Sequence, residues 1–243
     1  MSLYDNLEFF SLVGFRDIYK RFIYIHCREL LDEMFPGELD DSINGLIAYC
    51  YIDRAEGLSF YPVLLAAVET EALQVFELPH EDNTIYILRL RNGTGKMSEL
   101  HDEDAHMYLY GVDPNKYEFF DLSLVDFDIE VFAGIKERID TTYDAGEAVE
   151  ELRSDKYLCL DNYRNALFPD DVQVLLISEE NGIEKVWVRL TFDSETNGIF
   201  GELLNEPYKD FGCHKGDLIG IKEIQSEDNK FLVFNGLTAE INE

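Results

Sequence analysis

The chain has 243 residues, 46% of them apolar and 13% aromatic, a composition that excludes disorder over most of its length. Its 50 acidic and 20 basic residues give a formal net charge of -30. Such a field repels phosphate backbones and anionic lipid heads, which argues against direct nucleic-acid or membrane-surface binding. No apolar run reaches transmembrane length, and the N-terminus is acidic where a signal peptide is basic. The sequence therefore predicts a cytoplasmic protein whose four cysteines are reduced.

The first 154 residues mix helical and strand patterns. Residues 15–35 carry apolar side chains at helical spacing as far as Pro36 and Gly37, which predicts a helix. Residues 63–76 and residues 129–139 each fit either a helix or a strand. Strands are predicted at 46–52, 84–91, 107–112 and 117–125, and a surface helix at a domain junction is predicted at 144–153.

The C-terminal residues show the alternation that is typical of β-strands. In residues 186–192, Val186, Val188 and Leu190 share one face while Trp187 and Arg189 share the other. Further strands are predicted at 199–204, 217–224 and 230–234. The sequence thus predicts an α+β fold. Residues 1–154 would form a mixed α/β-sheet domain, and residues 155–243 a small antiparallel β-rich domain, either a sheet or a partly open barrel.

The same C-terminal region carries a resemblance. A Trp-Val strand, a turn, a strand ending in LLNEP and a later KGD lie within residues 183–224. This segment resembles a family of small uncharacterised bacterial domains, relatives of which are considered accessory or toxin-immunity proteins. The resemblance implies a protein-binding role and supplies no catalytic residues. Gly201, Gly212 and the Lys215–Asp217 turn have an equally good structural explanation, because they permit tight backbone turns.

Residues 101–106, HDEDAH, contain side chains that could bind a divalent cation. The candidate ligands are His101, Asp102, Asp104 and His106. A separation of five residues places the two imidazoles on opposite sides of a strand, and about 140° apart on a helix. The ligand types are therefore present, but the expected geometry is poor. The alternative is a solvated acidic loop before the strand at 107–112.

A second set of residues could form an interface for a basic partner. Asp126, Asp128 and Glu130 alternate and would line one face of a strand. Nearby in the sequence, the aromatic residues are Tyr108, Tyr110 and Tyr117. Rigid aromatic anchors beside a charged rim suit a protein interface. The alternative is that these aromatic side chains pack in the core, as strand aromatics usually do.

The sequence gives no catalytic signature. His26 and Cys27 are adjacent, as are Cys213 and His214, but neighbouring side chains in an extended chain point apart and do not form a dyad. We therefore expect a non-enzymatic acidic binding module without a cofactor, an immunity or accessory protein that recognises a basic partner. The alternatives are a metal-dependent hydrolase-like enzyme that uses the His101–His106 loop, and a mimic of nucleic acid.

Overall fold

The chain folds as two compact units, Met1–Asp144 and Ala145–Glu243. A computed structural model describes residues 2–79, 83–101, 105–193, 198–226 and 229–239. Strands dominate both units, and the helices are short. Within the described ranges, no helix combines the length and the apolar character that are needed to cross a membrane.

The first unit contains a nine-stranded mixed sheet. Its strands are β1 (Glu8–Phe9), β2 (Phe22–His26), β3 (Gly45–Asp53), β4 (Gly57–Val68), β5 (Leu73–Phe76), β6 (Thr84–Leu90), β7 (Gly95–His101), β8 (His106–Val112) and β9 (Glu118–Asp121). The order across the sheet is β1-β9-β2-β3-β4-β6-β8-β7, and β5 pairs with β4. The β6–β8 pair is parallel, whereas the other pairs are antiparallel.

Short helices connect and cover this sheet. The α-helices are α1 (Phe15–Ile18), α2 (Arg28–Met34) and α3 (Ala133–Thr142), and 3₁₀ turns occupy Leu3–Asn6, Phe10–Leu12, Leu122–Leu124 and Ile129–Phe132. The segment at 129–139, which fits either element by sequence, is helical. The segment at 63–76 belongs to β4 and β5.

Both faces of the central strands are buried. Tyr24, Tyr49 and Phe120 lie on one face and pack with Ile139 of α3. The opposite face carries Phe119, whose ring stacks on that of Phe10 with centroids 4.6 Å apart. Successive side chains of a strand point to opposite faces, so α3 packs on one face of the sheet and the 3₁₀ turn Phe10–Leu12 packs on the other.

The predicted helix at 15–35 is wrong in its middle. Residues 22–26 form β2, whose first four side chains are buried. Lys20 lies between α1 and β2 and has a left-handed backbone conformation, with φ at 58°, which a continuous helix does not allow. A strand that is buried on both faces is apolar throughout and lacks the two-residue alternation, so the spacing of its residues also fits a helix.

The second unit contains a closed five-stranded barrel. Its strands are β10 (Asp171–Ser178), β11 (Gly182–Asp193), β12 (Gly198–Leu203), β13 (Leu218–Ser226) and β14 (Asn229–Ala239). Consecutive strands pair antiparallel, and β14 closes the barrel against β10 in parallel. The inward residues of β10 and β11 are Val172, Val174, Leu176, Val186, Val188 and Leu190. The faces predicted for residues 186–192 are confirmed.

The division between the units falls before helix α4 (Glu147–Leu152). The sequence places the boundary after this segment, between residues 154 and 155. The structure assigns α4 to the second unit because Leu152 is buried in the barrel core. Arg153, which follows the helix, forms a buried ion pair with Asp170. Three of the six residues of α4 are glutamates and only Val149 and Leu152 are buried, so its sequence pattern is also that of a surface helix.

Candidate functional site

An open cleft of about 830 Å³ lies on the first unit. Its floor is one face of β6, β8 and β7, and its wall is the C-terminal end of α2 with the residues that follow. The lining side chains include Glu33, Phe35, Glu38, Tyr86, Lys96, Glu99, His101, His106, Tyr108 and Tyr110. Four of the residues singled out by sequence for two separate sites therefore share one cleft: His101, His106, Tyr108 and Tyr110.

Aromatic rings form the middle of the cleft. The parallel register of β6 and β8 sets Tyr86 directly opposite Tyr108. Their rings stack with centroids 5.5 Å apart and an interplanar angle of 22°. Phe35, just beyond α2, meets the ring of Tyr86 edge-on at 5.2 Å. This row of rings lines an open space that also contains carboxylates.

Carboxylates and one ammonium group set the charge of the cleft. Lys96 Nζ forms an ion pair with Glu99 Oε2 and lies 4.9 Å from the centroid of the Tyr108 ring. The hydrogen bond between the Lys96 ammonium and the Glu99 carboxylate raises the pKa of Lys96 and lowers the pKa of Glu99. Both groups are therefore charged at neutral pH, and with Glu33 and Glu38 the charged side chains lining the cleft sum to -2.

A glycine lets α2 approach strand β7 closely. The Lys96 N–H donates to Glu33 Oε1 at 3.0 Å. Gly95 has a φ of 105°, and a Cβ at this position would lie 2.8 Å from the same oxygen. A residue with a side chain would be strained here and would push the Glu33 carboxylate away. The missing side chain of Gly95 thus leaves room for the Glu33 carboxylate to reach the backbone of β7.

The two histidines of HDEDAH face each other across the β7–β8 hairpin. His101 and His106 are directly opposite in the antiparallel register, and their Nδ1 atoms are 3.0 Å apart. Glu99, two residues before His101 on the same strand face, places Oε1 3.3 Å from His101 Nε2. The expectation that a separation of five keeps the rings apart is wrong, because a hairpin reverses the chain between them. Asp102 and Asp104, the other predicted metal ligands, lie outside the described residues.

The predicted acidic strand at 126–130 is not a strand. The chain there enters the 3₁₀ turn Ile129–Phe132. Asp126, Asp128 and Glu130 are exposed, and Asp128 Oδ1 accepts the backbone N–H of Glu130 at 3.1 Å. An Asp two residues before an amide caps a turn as readily as it lines a strand, which is why alternation alone misled the prediction.

The predicted aromatic anchors divide between the core and the cleft. Tyr110 and Tyr117 are each only 4% exposed. Tyr110 lies at the base of the cleft, where burial raises the pKa of its phenol. Tyr108 is half-buried, and its side chain lines the cleft. Tyr108 is therefore the predicted partner-binding residue that is best placed to contact a ligand.

Tyr86, Lys96 and Glu99 are among the lining residues that the sequence did not single out. Tyr86 alternates within a predicted strand, but its parallel pairing with Tyr108 has no local signal. Glu99 stands two residues before His101, the spacing that puts both on one strand face. Lys96 directly follows the turn-forming residues Asn92, Gly93 and Gly95. Assigning residues 95–101 to a strand would have grouped Lys96, Glu99 and His101.

The adjacent histidine and cysteine residues do not form reactive pairs. Cys27 and Cys213 are buried, and burial raises the pKa of both thiols. A thiol held in its neutral form is a poor nucleophile. This chemistry gives no support to a cysteine-dependent reaction.

The chain has no match among models of known protein families, curated proteins or solved structures. The resemblance of residues 183–224 to accessory and immunity domains therefore stays a prediction from the sequence. The chemistry of the cleft and the charge of the chain are the properties that bear on its function.

Proposed function

We propose that the protein binds a basic partner protein non-enzymatically, and that the cleft receives a lysine or arginine side chain of that partner. The observation that carries the proposal is the stacked Tyr86–Tyr108 pair in one cleft with the carboxylates of Glu33, Glu38 and Glu99. Aromatic faces attract cations through the ring quadrupole, and carboxylates add charge attraction.

The environment of Lys96 illustrates the kind of contact that we expect. Its ammonium lies between the Glu99 carboxylate and the face of Tyr108. A partner's cation would meet the same kinds of group in this cleft, which also contains the ring of Tyr86 and the carboxylates of Glu33 and Glu38.

The net charge of the chain supports the same proposal at longer range. A formal net charge of -30 speeds the encounter with a cationic protein and disfavours an anionic one. This attraction acts over about 10 Å at 0.1 M salt, so it contributes mainly to the association rate. We expect the cleft to contribute selectivity, because aromatic rings and carboxylates line one open space. An accessory or immunity role towards a basic protein would use both properties.

A peptide-binding experiment separates the cleft from non-specific attraction. A labelled peptide rich in Arg and Lys and a length-matched Glu-rich peptide are titrated with the protein, in the presence of a chelator, and binding is followed by fluorescence anisotropy. Tyr108→Leu keeps an apolar side chain and removes the ring. Losing a cation–π contact of about 0.5–1 kcal/mol corresponds to about two- to fivefold weaker binding of the basic peptide.

The matched control is Tyr208→Leu. Tyr208 is 95% exposed and lies in the barrel unit, so this variant removes an exposed tyrosine at unchanged net charge and should bind the peptide as the parent protein does. Equal affinity of the parent, Tyr108→Leu and Tyr208→Leu proteins would show that the attraction is only electrostatic and would refute a role for the cleft. Equal binding of the acidic peptide would refute the proposal as a whole.

A further inference from the structure

We propose that His101 and His106 bind a divalent transition-metal ion through their Nδ1 atoms at the rim of the cleft. The two residues are directly opposite in the β7–β8 hairpin, and their ring planes are nearly perpendicular at 88°. One ring nitrogen of each histidine and one carboxylate oxygen of Glu99 all lie within 4.8 Å of one another. Imidazole nitrogen suits zinc, copper and nickel ions better than magnesium or calcium.

The separation of the two nitrogens matches a chelating pair. At a zinc–nitrogen bond length of about 2.0–2.1 Å, two nitrogens 3.0 Å apart subtend an angle of about 90–100° at the ion. A tetrahedral angle requires a separation of about 3.3–3.4 Å at the same bond lengths. Rotations of the two rings about their side-chain bonds supply this difference and turn both lone pairs towards the ion. The backbone pairing that sets the histidines opposite each other need not change.

Glu99 determines which nitrogen of His101 carries the proton. Its Oε1 lies 3.3 Å from His101 Nε2, so the favoured tautomer has the proton on Nε2 and a lone pair on Nδ1. Carboxylates beside metal-binding histidines commonly act in this way. Glu99 is itself held by the ammonium of Lys96 on its other oxygen. Glu99 is therefore a positioning residue for His101.

The proton balance of the proposed binding step is simple. In the tautomer of His101 that Glu99 favours, and without the ion, His101 Nδ1 accepts a hydrogen bond from Nδ1–H of His106 across the 3.0 Å gap. When the ion binds, the proton of His106 moves by exchange with water from Nδ1 to Nε2, and both Nδ1 lone pairs face the ion. No net proton is released, and no oxidant or reductant is required. Water completes the coordination of the ion.

A zinc titration of the tag-free protein tests the site. Cys159 is an exposed thiol and a competing metal ligand, so all measurements use a Cys159→Ser background. Isothermal titration calorimetry measures the affinity of this protein and of its His101→Gln, His106→Gln and Glu99→Gln variants. We expect each histidine variant to bind zinc at least tenfold more weakly, and Glu99→Gln to bind about 10- to 100-fold more weakly, as other outer carboxylates do.

The control variant is His214→Gln. His214 is also an exposed histidine beside a carboxylate, with Nδ1 2.8 Å from Glu206 Oε1. The described part of the chain sets no second imidazole against it in a group of metal ligands. This variant should bind zinc as the Cys159→Ser protein does. Unchanged affinity in the His101 and His106 variants, or an equal loss in His214→Gln, would overturn the proposal.

Nitrogen NMR of the histidine rings distinguishes a positioning role for Glu99 from simple damage to the hairpin. Without metal, His101 should carry its proton on Nε2, and Glu99→Gln should shift this tautomer towards Nδ1–H while the backbone spectrum of β7 and β8 is retained. Zinc should move the Nδ1 resonances of both rings. Nδ1 resonances that do not respond to zinc would show that the 3.0 Å contact is a hydrogen bond and no more.

Discussion

The buried ion pair between Arg153 and Asp170 should hold helix α4 to the barrel. Their side chains are 1% and 3% exposed, and two hydrogen bonds of 2.9 and 2.6 Å join the guanidinium to the carboxylate. Arg153→Ala leaves the Asp170 carboxylate buried without this partner, which costs about 3–5 kcal/mol. Against a stability of about 5–15 kcal/mol for an ordinary protein, this is a large fraction.

The single tryptophan of the chain makes this prediction measurable. Trp187 lies on β11, so its fluorescence in a urea titration reports on the barrel unit alone. With a dependence of about 1–3 kcal/mol per molar urea, the midpoint for Arg153→Ala should fall by at least about 1 M.

Two further variants identify the cause of the loss. Lys230→Ala removes a cation from an exposed pair with Glu223 in the same barrel, and we expect it to leave the midpoint nearly unchanged. The double change Arg153→Met with Asp170→Leu removes both charges and should recover much of the stability. An Arg153→Ala midpoint no lower than that of Lys230→Ala would refute the reasoning.

Two other predictions concern acid stability and packing. Burial lowers the pKa of His26 below its ordinary value of 6.5, so the unfolded chain takes up a proton before the folded chain does, and stability should fall as the pH drops below about 6.5. His26→Gln should flatten this dependence below about pH 6.5, as followed by thermal unfolding, and an unchanged slope would exclude His26 as its source. Gly201→Ala would place a Cβ 2.3 Å from Val188 Cγ1 and should cost the barrel about 1–3 kcal/mol by Trp187 fluorescence. A Cβ added at Gly134 meets nothing within 4 Å, so Gly134→Ala should not lower the free energy of unfolding measured by far-UV circular dichroism. Equal losses of stability in the two variants would contradict the packing argument.

Strands were predictable where the apolar pattern fits only a strand, and were missed where it also fits a helix or shows no clear period. Residues 186–192 alternate because one face is apolar, and they form part of strand β11. β2 is buried on both faces and was read as part of a helix. The first barrel strand, β10, received no assignment. Its inward valines alternate, but the following leucine–leucine–isoleucine run hides the period.

Some residues of the candidate site could be predicted from the sequence, but the strand pairing that brings them together could not. The histidines and Tyr108 were identified, since ligand types and aromatic residues are visible in the sequence. Their meeting depends on the β7–β8 register and on the parallel docking of β8 against β6. Neither pairing is encoded by spacing along the chain, because pairing partners are set by the whole sheet. The geometric argument against the histidine pair failed because it assumed one continuous element.

The order of the strands implies that the two halves of the cleft assemble at different times during folding. β7 precedes β8 in the chain, yet β8 lies between β6 and β7 in the sheet. The β7–β8 hairpin closes locally, and such hairpins form in about 1–10 μs. Docking of β8 on β6 closes a longer loop and comes later. The histidine pair therefore forms together with the hairpin, whereas the stacking of Tyr86 on Tyr108 requires β8 to dock on β6. A partial opening that detaches the hairpin from β6 would dismantle the aromatic floor and leave the two imidazoles facing each other.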